Sequence, residues 1–222
     1  MFLIKKISHS GYCSRRVAEK LIRNGAVEID GKKVLEPATK VSEKNRIKIE
    51  GKELPQKPEE KLFIFHKPTE VLTSHKSQEN RKIIFDFLPK WMKNYHAIGR
   101  LDFLSEGLIL LTNSPELKEK MERGDFPRVY EVKIHGKPHK NLIETLKNGV
   151  KIEGIFYKSI KVEIKNQNDG SSWLSMTLTE GKNREIRKIL AHFNYKLLKL
   201  KRVSYGEYKL GNLEVKKLKK VY

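Results

Sequence analysis

The 222-residue sequence is poor in the features that mark several large classes of protein. It has a single cysteine, Cys13, so an intrachain disulfide is excluded and a reducing compartment is indicated. No apolar run approaches the roughly 18 residues that a membrane span needs, and the N-terminus lacks the apolar stretch of a signal peptide. We therefore expect a cytoplasmic protein that makes no membrane contact.

Several catalytic signatures are also missing. The chain has no phosphate-binding G-x-x-x-x-G-K-[ST] loop, no dinucleotide-binding G-x-G-x-x-G and no hydrolase G-x-S-x-G elbow. Its histidines are scattered, and Gly136 and Pro138 prevent the helix that would make His135 and His139 joint metal ligands. Nothing indicates a nucleotide hydrolase, a dinucleotide enzyme or a metal site.

Acidic residues are scarce relative to basic ones. The 47 lysines and arginines outnumber the 27 aspartates and glutamates and give a formal charge of +20. Coulomb attraction at this charge favours a polyanionic partner, nucleic acid first and an acidic membrane surface second. The alternative is a lysine-rich composition that implies no partner.

The N-terminal 54 residues are predicted to form a compact basic module. Ser14 is a suitable N-cap for a helix over residues 15–23, and Gly25 is placed to end it. One face of this helix carries Val17, Ala18, Leu21 and Ile22. The arginines that project from the rest of the helix are Arg15, Arg16 and Arg23. The first two lie near the helix N-terminus, which favours an anion such as phosphate.

A hairpin is predicted after this helix, over residues 27–34, with its turn at Asp30-Gly31. The Ser-Arg-Arg helix, the Gly-Ala-Val strand and the Asp-Gly-Lys turn together resemble the S4 RNA-binding domain. That resemblance implies a phosphate-binding surface made by the helix pair and the hairpin. The expected RNA contacts are Ser14, Arg15, Arg16, Arg23, Lys32 and Lys33. A polar, proline-containing linker follows, so we place an S4 domain at residues 1–56 and a second domain at 57–222.

The second domain centres on the stretch from Gly99 to Asn113. Arg100 and Asp102 stand directly before Leu108–Leu111, a run apolar enough to be a strand buried on both faces. A charged pair on such rigid scaffolding is either a structural ion pair or a reactive group, and this stretch alone does not decide between them. Upstream, Lys67 precedes Pro68, so we expect an extended backbone that aims the lysine ammonium outward from the end of a strand, where it is a candidate contact to RNA.

Further elements are predicted downstream. A helix begins after Ser114 and ends near Arg123, and a short helix covers residues 142–146. Alternation predicts strands over 128–134, 157–165 and 173–179, the first with Tyr130 on its apolar face.

A last helix is predicted with Asn183 as its N-cap. At 100° per residue, Arg187 lies at the edge of the apolar face and Arg184 on the opposite side. We therefore expect Arg187 to be a buried partner for a carboxylate, and Arg184 and Lys188 to contact RNA phosphate.

Taken together, these motifs resemble the RsuA/RluB group of ribosomal RNA pseudouridine synthases, which also carry an N-terminal S4 domain. The motifs are Lys67-Pro68, the Gly99–Asp102 and Leu108–Asn113 segments, Tyr130, and the segment from Glu180 to Arg187. The resemblance implies an α+β chain: a small S4-like domain of a helix pair and hairpin, then a larger domain with a mixed, mainly antiparallel sheet flanked by helices. It also implies that the protein isomerises a uridine in ribosomal RNA to pseudouridine without a cofactor. The expected enzyme is a monomer.

The resemblance also assigns roles to single residues. It makes Asp102 the indispensable carboxylate and Arg187 its partner. It implies that Tyr130 stacks on the uracil and is a candidate base, and that Arg100 helps to hold the target nucleotide out of the RNA helix. Whether the carboxylate attacks the sugar or the base, or promotes elimination at the sugar, stays open.

The sequence departs from the family pattern in three places. Thr69-Glu70 stands where a glycine is usual after Lys-Pro, Ser105 replaces a commoner threonine, and Glu185 replaces a commoner glutamine. The last change puts a negative charge beside the two arginines of that motif. Two alternatives to the synthase hypothesis are a non-catalytic S4-domain protein of ribosome assembly and an RNA methyltransferase. The second is disfavoured because no glycine-rich nucleotide loop follows a strand.

Overall fold

The N-terminal module is a pair of helices packed on a small sheet. The computed structural model describes residues 1–222. The elements of this module are α1 (Leu3–His9), α2 (Arg15–Arg23), β1 (Val27–Ile29), β2 (Lys32–Lys33), β3 (Ile47–Ile49) and β4 (Lys52–Glu53). The four strands run in the order β2-β1-β3-β4, all antiparallel. A hydrophobic core of its own joins the helices to this sheet.

Helix α2 begins as its sequence predicts. The Ser14 side chain accepts a hydrogen bond from the Val17 amide at 3.4 Å, and Gly25 follows the helix with a φ of +70°. The expected apolar face is narrower than predicted, because Val17 is 46 % exposed while Ala18 and Ile22 are fully buried. The predicted hairpin is confirmed as β1 and β2.

The larger domain is built on one long sheet, which confirms the predicted mixed and mainly antiparallel architecture. Its strands run in the order β11-β12-β8-β13-β7-β5-β15, with β14 added to β13 and β6 to β7. The elements are β5 (Leu62–Lys67), β6 (His96–Ile98), β7 (Glu106–Thr112), α3 (Pro115–Arg123), β8 (Arg128–His135), α4 (Lys140–Asn148), β9 (Val150–Ile152), β10 (Ile155–Tyr157), β11 (Lys161–Gln167), β12 (Ser171–Leu178), α5 (Glu185–His192), β13 (Leu197–Tyr205), β14 (Tyr208–Lys209) and β15 (Leu218–Lys220). Two short 3-10 helices cover Ile84–Phe87 and Lys90–Asn94.

The one parallel contact in the long sheet joins β7 to β13. Strand β7 is the buried run predicted from Leu108–Leu111, and all four of these residues are fully buried. Gly107 has a φ of +117°, and a Cβ atom there would lie 2.2 Å from the carbonyl oxygen of Arg202. Only glycine therefore allows β13 to approach β7 this closely.

Two predicted boundaries are wrong. The alternation over residues 157–165 belongs to two strands, because β10 ends at Tyr157 and pairs only with β9, whereas β11 begins at Lys161. Helix α5 begins at Glu185, and the capping residue is Arg184 in a left-handed conformation (φ +52°) instead of Asn183.

Ion pairs join the two domains through α3. The Glu119 carboxylate lies 3.2 Å from Lys5 Nζ and 2.9 Å from Arg15 Nη2. Lys57, at the start of the larger domain, pairs with Glu116 of the same helix. Arg15 thus contacts the larger domain in this structure, although its side chain is still half exposed. No helix has the length and apolar character needed to cross a membrane.

Candidate active site

A cavity of about 830 Å³ opens over the middle of the long sheet. The loop before β7, the loop before α5 and the strands β8 and β13 form most of its walls. Five of the candidate catalytic and RNA-contact residues line this cavity: Arg100, Asp102, Tyr130, Arg184 and Arg187.

Asp102 lies in the loop between β6 and β7, and its carboxylate is held by an arginine of α5. Arg187 Nε donates to Asp102 Oδ2 at 3.2 Å, and Arg187 Nη2 donates to the Ser105 hydroxyl at 3.0 Å. The Thr73 hydroxyl donates to the carbonyl of Leu101 at 3.0 Å and accepts from its amide at 3.3 Å. The carboxylate therefore has a fixed position on the cavity wall.

Arg184 lies closer to Asp102 than its expected position on the opposite side of a helix allows. Its Nη1 is 3.9 Å from Asp102 Oδ2, while the side chain remains about half exposed. The helical projection is wrong here because Arg184 precedes the first turn and has left-handed backbone angles. Asp102 thus faces two guanidinium groups from the α5 segment, and neither of them belongs to Arg100.

Lys67 does not point outward as its position before Pro68 suggests. Its side chain is fully buried, and the ammonium donates to the carbonyls of Pro68 (2.9 Å), Ser105 (2.8 Å) and Phe103 (3.4 Å). Burial lowers its pKa to about 8, against the opposing attraction of Asp102. Lys67 therefore supports the Asp102 loop from below, and it is not exposed for a contact with RNA.

The Thr69-Glu70 departure also has a structural counterpart. Glu70 has a φ of +60°, the left-handed region that glycine enters most easily, and its amide donates to the carbonyl of Phe103 at 2.7 Å. The loop thus keeps a glycine-like conformation without the glycine.

Tyr130 lies between the two main cores of the larger domain. It packs against the cluster around α4 and α5 and also against the cluster beneath the Asp102 loop. Its neighbours across the sheet are Met176 on β12 and Arg202 on β13. The ring is therefore fixed at the cavity wall by packing on both sides.

The remaining predicted RNA contacts lie outside the cavity. Lys188 is half-buried on α5, and the candidates of the N-terminal module are all exposed. These are Ser14, Arg15, Arg16, Arg23, Lys32 and Lys33. Arg23 pairs with Glu19 within α2.

Sequence reasoning assigned no role in the site to several polar residues that line the cavity. Glu185 is 5 % exposed, and its Oε2 accepts from the Lys182 amide at 3.0 Å while Oε1 has no partner. Burial raises the pKa of this carboxyl to about 7, and the neighbouring Glu180 adds to the effect. His75, His96, Arg128 and Arg202 also line the cavity. Apart from the Glu185 departure, no motif marked these residues.

Comparisons with known proteins agree with this architecture. Residues 61–192 match the RNA pseudouridylate synthase family, and residues 3–47 match the S4 domain. An uncharacterised RNA pseudouridine synthase of Rickettsia prowazekii is 44 % identical over 96 % of this chain and 90 % of its own length. Ribosomal large subunit pseudouridine synthase B of Bacillus subtilis is 32 % identical over 95 % of this chain and 88 % of its own.

A crystal structure of a pseudouridylate synthase superposes with a TM-score of 0.72 at 24 % identity, over 100 % of this chain and 96 % of that one. The fold is thus that of an RNA-modifying enzyme with an S4 domain. The chain belongs to the RNA pseudouridylate synthase family.

Proposed function

We propose that this enzyme isomerises a specific uridine of ribosomal RNA and that Asp102 is its essential carboxylate. The observation that carries the proposal is the contact of Asp102 with Arg187 on the cavity wall, 3.2 Å between Oδ2 and Nε. An adjacent guanidinium fixes the orientation of the carboxylate, as a carboxylate that acts on substrate requires. Ribosomal RNA is supported by the name of the Bacillus subtilis relative and by the formal charge of +20.

The reaction balances without a co-reactant. The bond from uracil N1 to ribose C1′ breaks, a bond from C5 to C1′ forms, the proton on C5 leaves, and N1 gains a proton. Uridine and pseudouridine have the same formula, so no electrons are supplied or removed. Attack by Asp102 on the sugar or the base, and elimination at the sugar, both need the carboxylate beside the flipped nucleotide.

The other residues of the cavity bind and orient the nucleotide. In this proposal Tyr130 stacks on the uracil, Arg187 holds Asp102, and Arg100 and Arg184 contact the RNA at the mouth of the cavity. Extrusion of a base costs a few kcal/mol, and cationic side chains at the rim offset part of that cost. Lys188 and the exposed basic residues of the S4 domain extend the RNA surface beyond the cavity.

Release of tritium from ribosomal RNA labelled at uridine C5 tests the assignment. The RNA is taken from cells that lack this protein, so its site is unmodified. Asp102→Asn is expected to reduce tritium release below detection while RNA affinity, measured by filter binding, changes by less than about threefold. Asp169→Asn, in an exposed turn, is the matched control and should release tritium at the wild-type rate. Undiminished release by Asp102→Asn would refute the role of this carboxylate.

The same experiment separates the synthase from a non-catalytic assembly protein. An assembly protein would release no tritium with either the wild type or the control. Mapping of pseudouridines in ribosomal RNA from cells with and without the protein then identifies the uridine.

A further inference from the structure

Arg202 is a fully buried arginine with two guanidinium nitrogens that make no hydrogen bond. It lies on β13 and is 2 % exposed. Its Nε donates to the carbonyl of Leu108 at 2.8 Å, whereas Nη1 and Nη2 make no hydrogen bond, and of these two only Nη2 is closed to solvent. Leaving a buried cationic donor unpaired is costly, so such a donor calls for an explanation.

The position of Arg202 connects it with the candidate active site. Arg202 is among the residues that line the cavity. It is opposite Tyr130 in the antiparallel pairing of β13 with β8, and opposite Gly107 in the parallel pairing with β7. It thus lies between the strand that carries Tyr130 and the strand that follows the Asp102 loop.

The chemistry of the unpaired guanidinium nitrogens limits what they can bind. A guanidinium donates hydrogen bonds and accepts none, so its partner must be an acceptor. A nucleotide extruded from RNA enters base first, because its ribose and phosphates stay connected to the strand outside. The acceptors that reach the sheet are therefore the carbonyl oxygens of the base and not the phosphate oxygens.

We propose that Arg202 donates a hydrogen bond from its guanidinium to a carbonyl oxygen of the target uracil. The proposal rests on the proposed function, and it adds a contact to the substrate from the floor of the cavity. At O4 this contact also rejects cytosine, which carries an amino group in that place. At O2 it holds the base without distinguishing the two pyrimidines.

Arg128 is a natural control for this proposal. It is also buried and also lines the cavity, but its guanidinium is used within the protein. Arg128 Nη1 donates to the carbonyl of Thr179 at 3.1 Å and Nη2 to the Tyr205 hydroxyl at 2.9 Å. Its substitution removes a buried arginine from the same wall without removing an unpaired donor.

The test uses a short RNA that carries the mapped uridine, made with uridine, 2-thiouridine or 4-thiouridine at that position. Sulfur is a weaker hydrogen-bond acceptor than oxygen. We expect the wild type to convert one of the two thio substrates about tenfold more slowly in single-turnover reactions. The affected position identifies O2 or O4. Arg202→Gln is expected to lose 10- to 100-fold in rate on uridine, about the effect of one charge-assisted hydrogen bond, and to lose the thio effect. Arg128→Gln should retain the thio effect whatever its absolute rate.

Two results would overturn the proposal: no thio effect in the wild type at either position, or a full thio effect in folded Arg202→Gln. If Arg202→Gln does not fold, Arg202→Lys replaces it, because one ammonium can remain on the Leu108 carbonyl but presents no second nitrogen to the cavity. Failure of the wild type to convert the unmodified RNA would instead refute the proposed function.

Discussion

Gly107→Ala tests whether the close approach of β7 and β13 holds the cavity together. A Cβ atom at this position would lie 2.2 Å from the carbonyl oxygen of Arg202 and 2.6 Å from its amide nitrogen. Both are backbone atoms, so no side-chain rotation relieves the overlap and the strands must separate by about 1 Å. The parallel pairing between the two strands is confined to Lys201–Glu106 and Arg202–Gly107. The shift is therefore concentrated at the floor of the cavity.

The expected cost has two parts. Alanine at a φ of +117° costs about 1–3 kcal/mol of backbone strain, and overpacking against rigid atoms costs about 1–3 kcal/mol. The sum, about 2–6 kcal/mol, is a large fraction of the roughly 5–15 kcal/mol that stabilises an ordinary domain. Gly154→Ala isolates the first part, because Gly154 has a φ of +79° and nothing within 4 Å of the added Cβ.

Urea unfolding followed by tryptophan fluorescence measures the difference. Trp91 and Trp173 both lie in the larger domain, so the signal reports that domain and not the S4 module. We expect Gly107→Ala to lose at least 1 kcal/mol more than Gly154→Ala, with a matching loss of tritium release. Equal losses in the two variants would refute the steric argument, since the backbone conformation alone would then account for the effect.

Two further predictions concern the buried charges near Asp102. Lys67→Met removes the hydrogen bonds to the Pro68 and Ser105 carbonyls and should lower the free energy of unfolding in urea by about 2–4 kcal/mol. The control is Lys201→Met, which loses a partly exposed ion pair with Glu106. It should lower the free energy of unfolding by less than about 1 kcal/mol. Equal costs would contradict the supporting role of Lys67. The Glu185 carboxyl has a raised pKa of about 7 in the folded state. The folded chain therefore binds more protons than the unfolded chain between about pH 4.5 and 7. The stability that this group contributes is lost as the pH rises through 7. Glu185→Gln should therefore unfold at higher urea concentration than the wild type at pH 8 and show no such advantage at pH 4; an unchanged difference across this range would show that Glu185 is not buried in its protonated form.

The fold was predictable where local signals and burial agree. Ser14 and Ser114 cap helices where the sequence places them, and the apolar run Leu108–Leu111 is a central strand. The strand of residues 157–165 was wrong because alternation continues through residues 158–160, where the chain leaves one sheet and enters another. The alternation of apolar and polar residues does not show where the chain changes from one partner strand to another.

The candidate site was predictable in part. Asp102, Tyr130 and Arg187 were selected from their positions on a loop, a strand and a helix and from the family resemblance, and all three line one cavity. Arg184 was misplaced because a helical projection was extended one residue beyond the helix. Nothing in the sequence indicated that Arg202 is buried, because a basic residue in a basic segment is normally expected on the surface. Only the strand pairing of the sheet shows that it lies in the interior.

Lys67 and Ser105 show why the geometry of the Asp102 loop needs the three-dimensional structure. A proline restricts the backbone of the residue before it but not the direction of that residue's side chain, so Lys67 turns inward and binds carbonyls 36 and 38 residues away. Ser105 is held from both ends: its carbonyl accepts from Lys67, and its hydroxyl accepts from Arg187. A threonine would supply the same hydroxyl, so the substitution of serine preserves the one group that this contact uses. The loop that carries Asp102 is thus fixed by a buried cation below it and a guanidinium beside it, and both contacts join segments that are distant in the sequence.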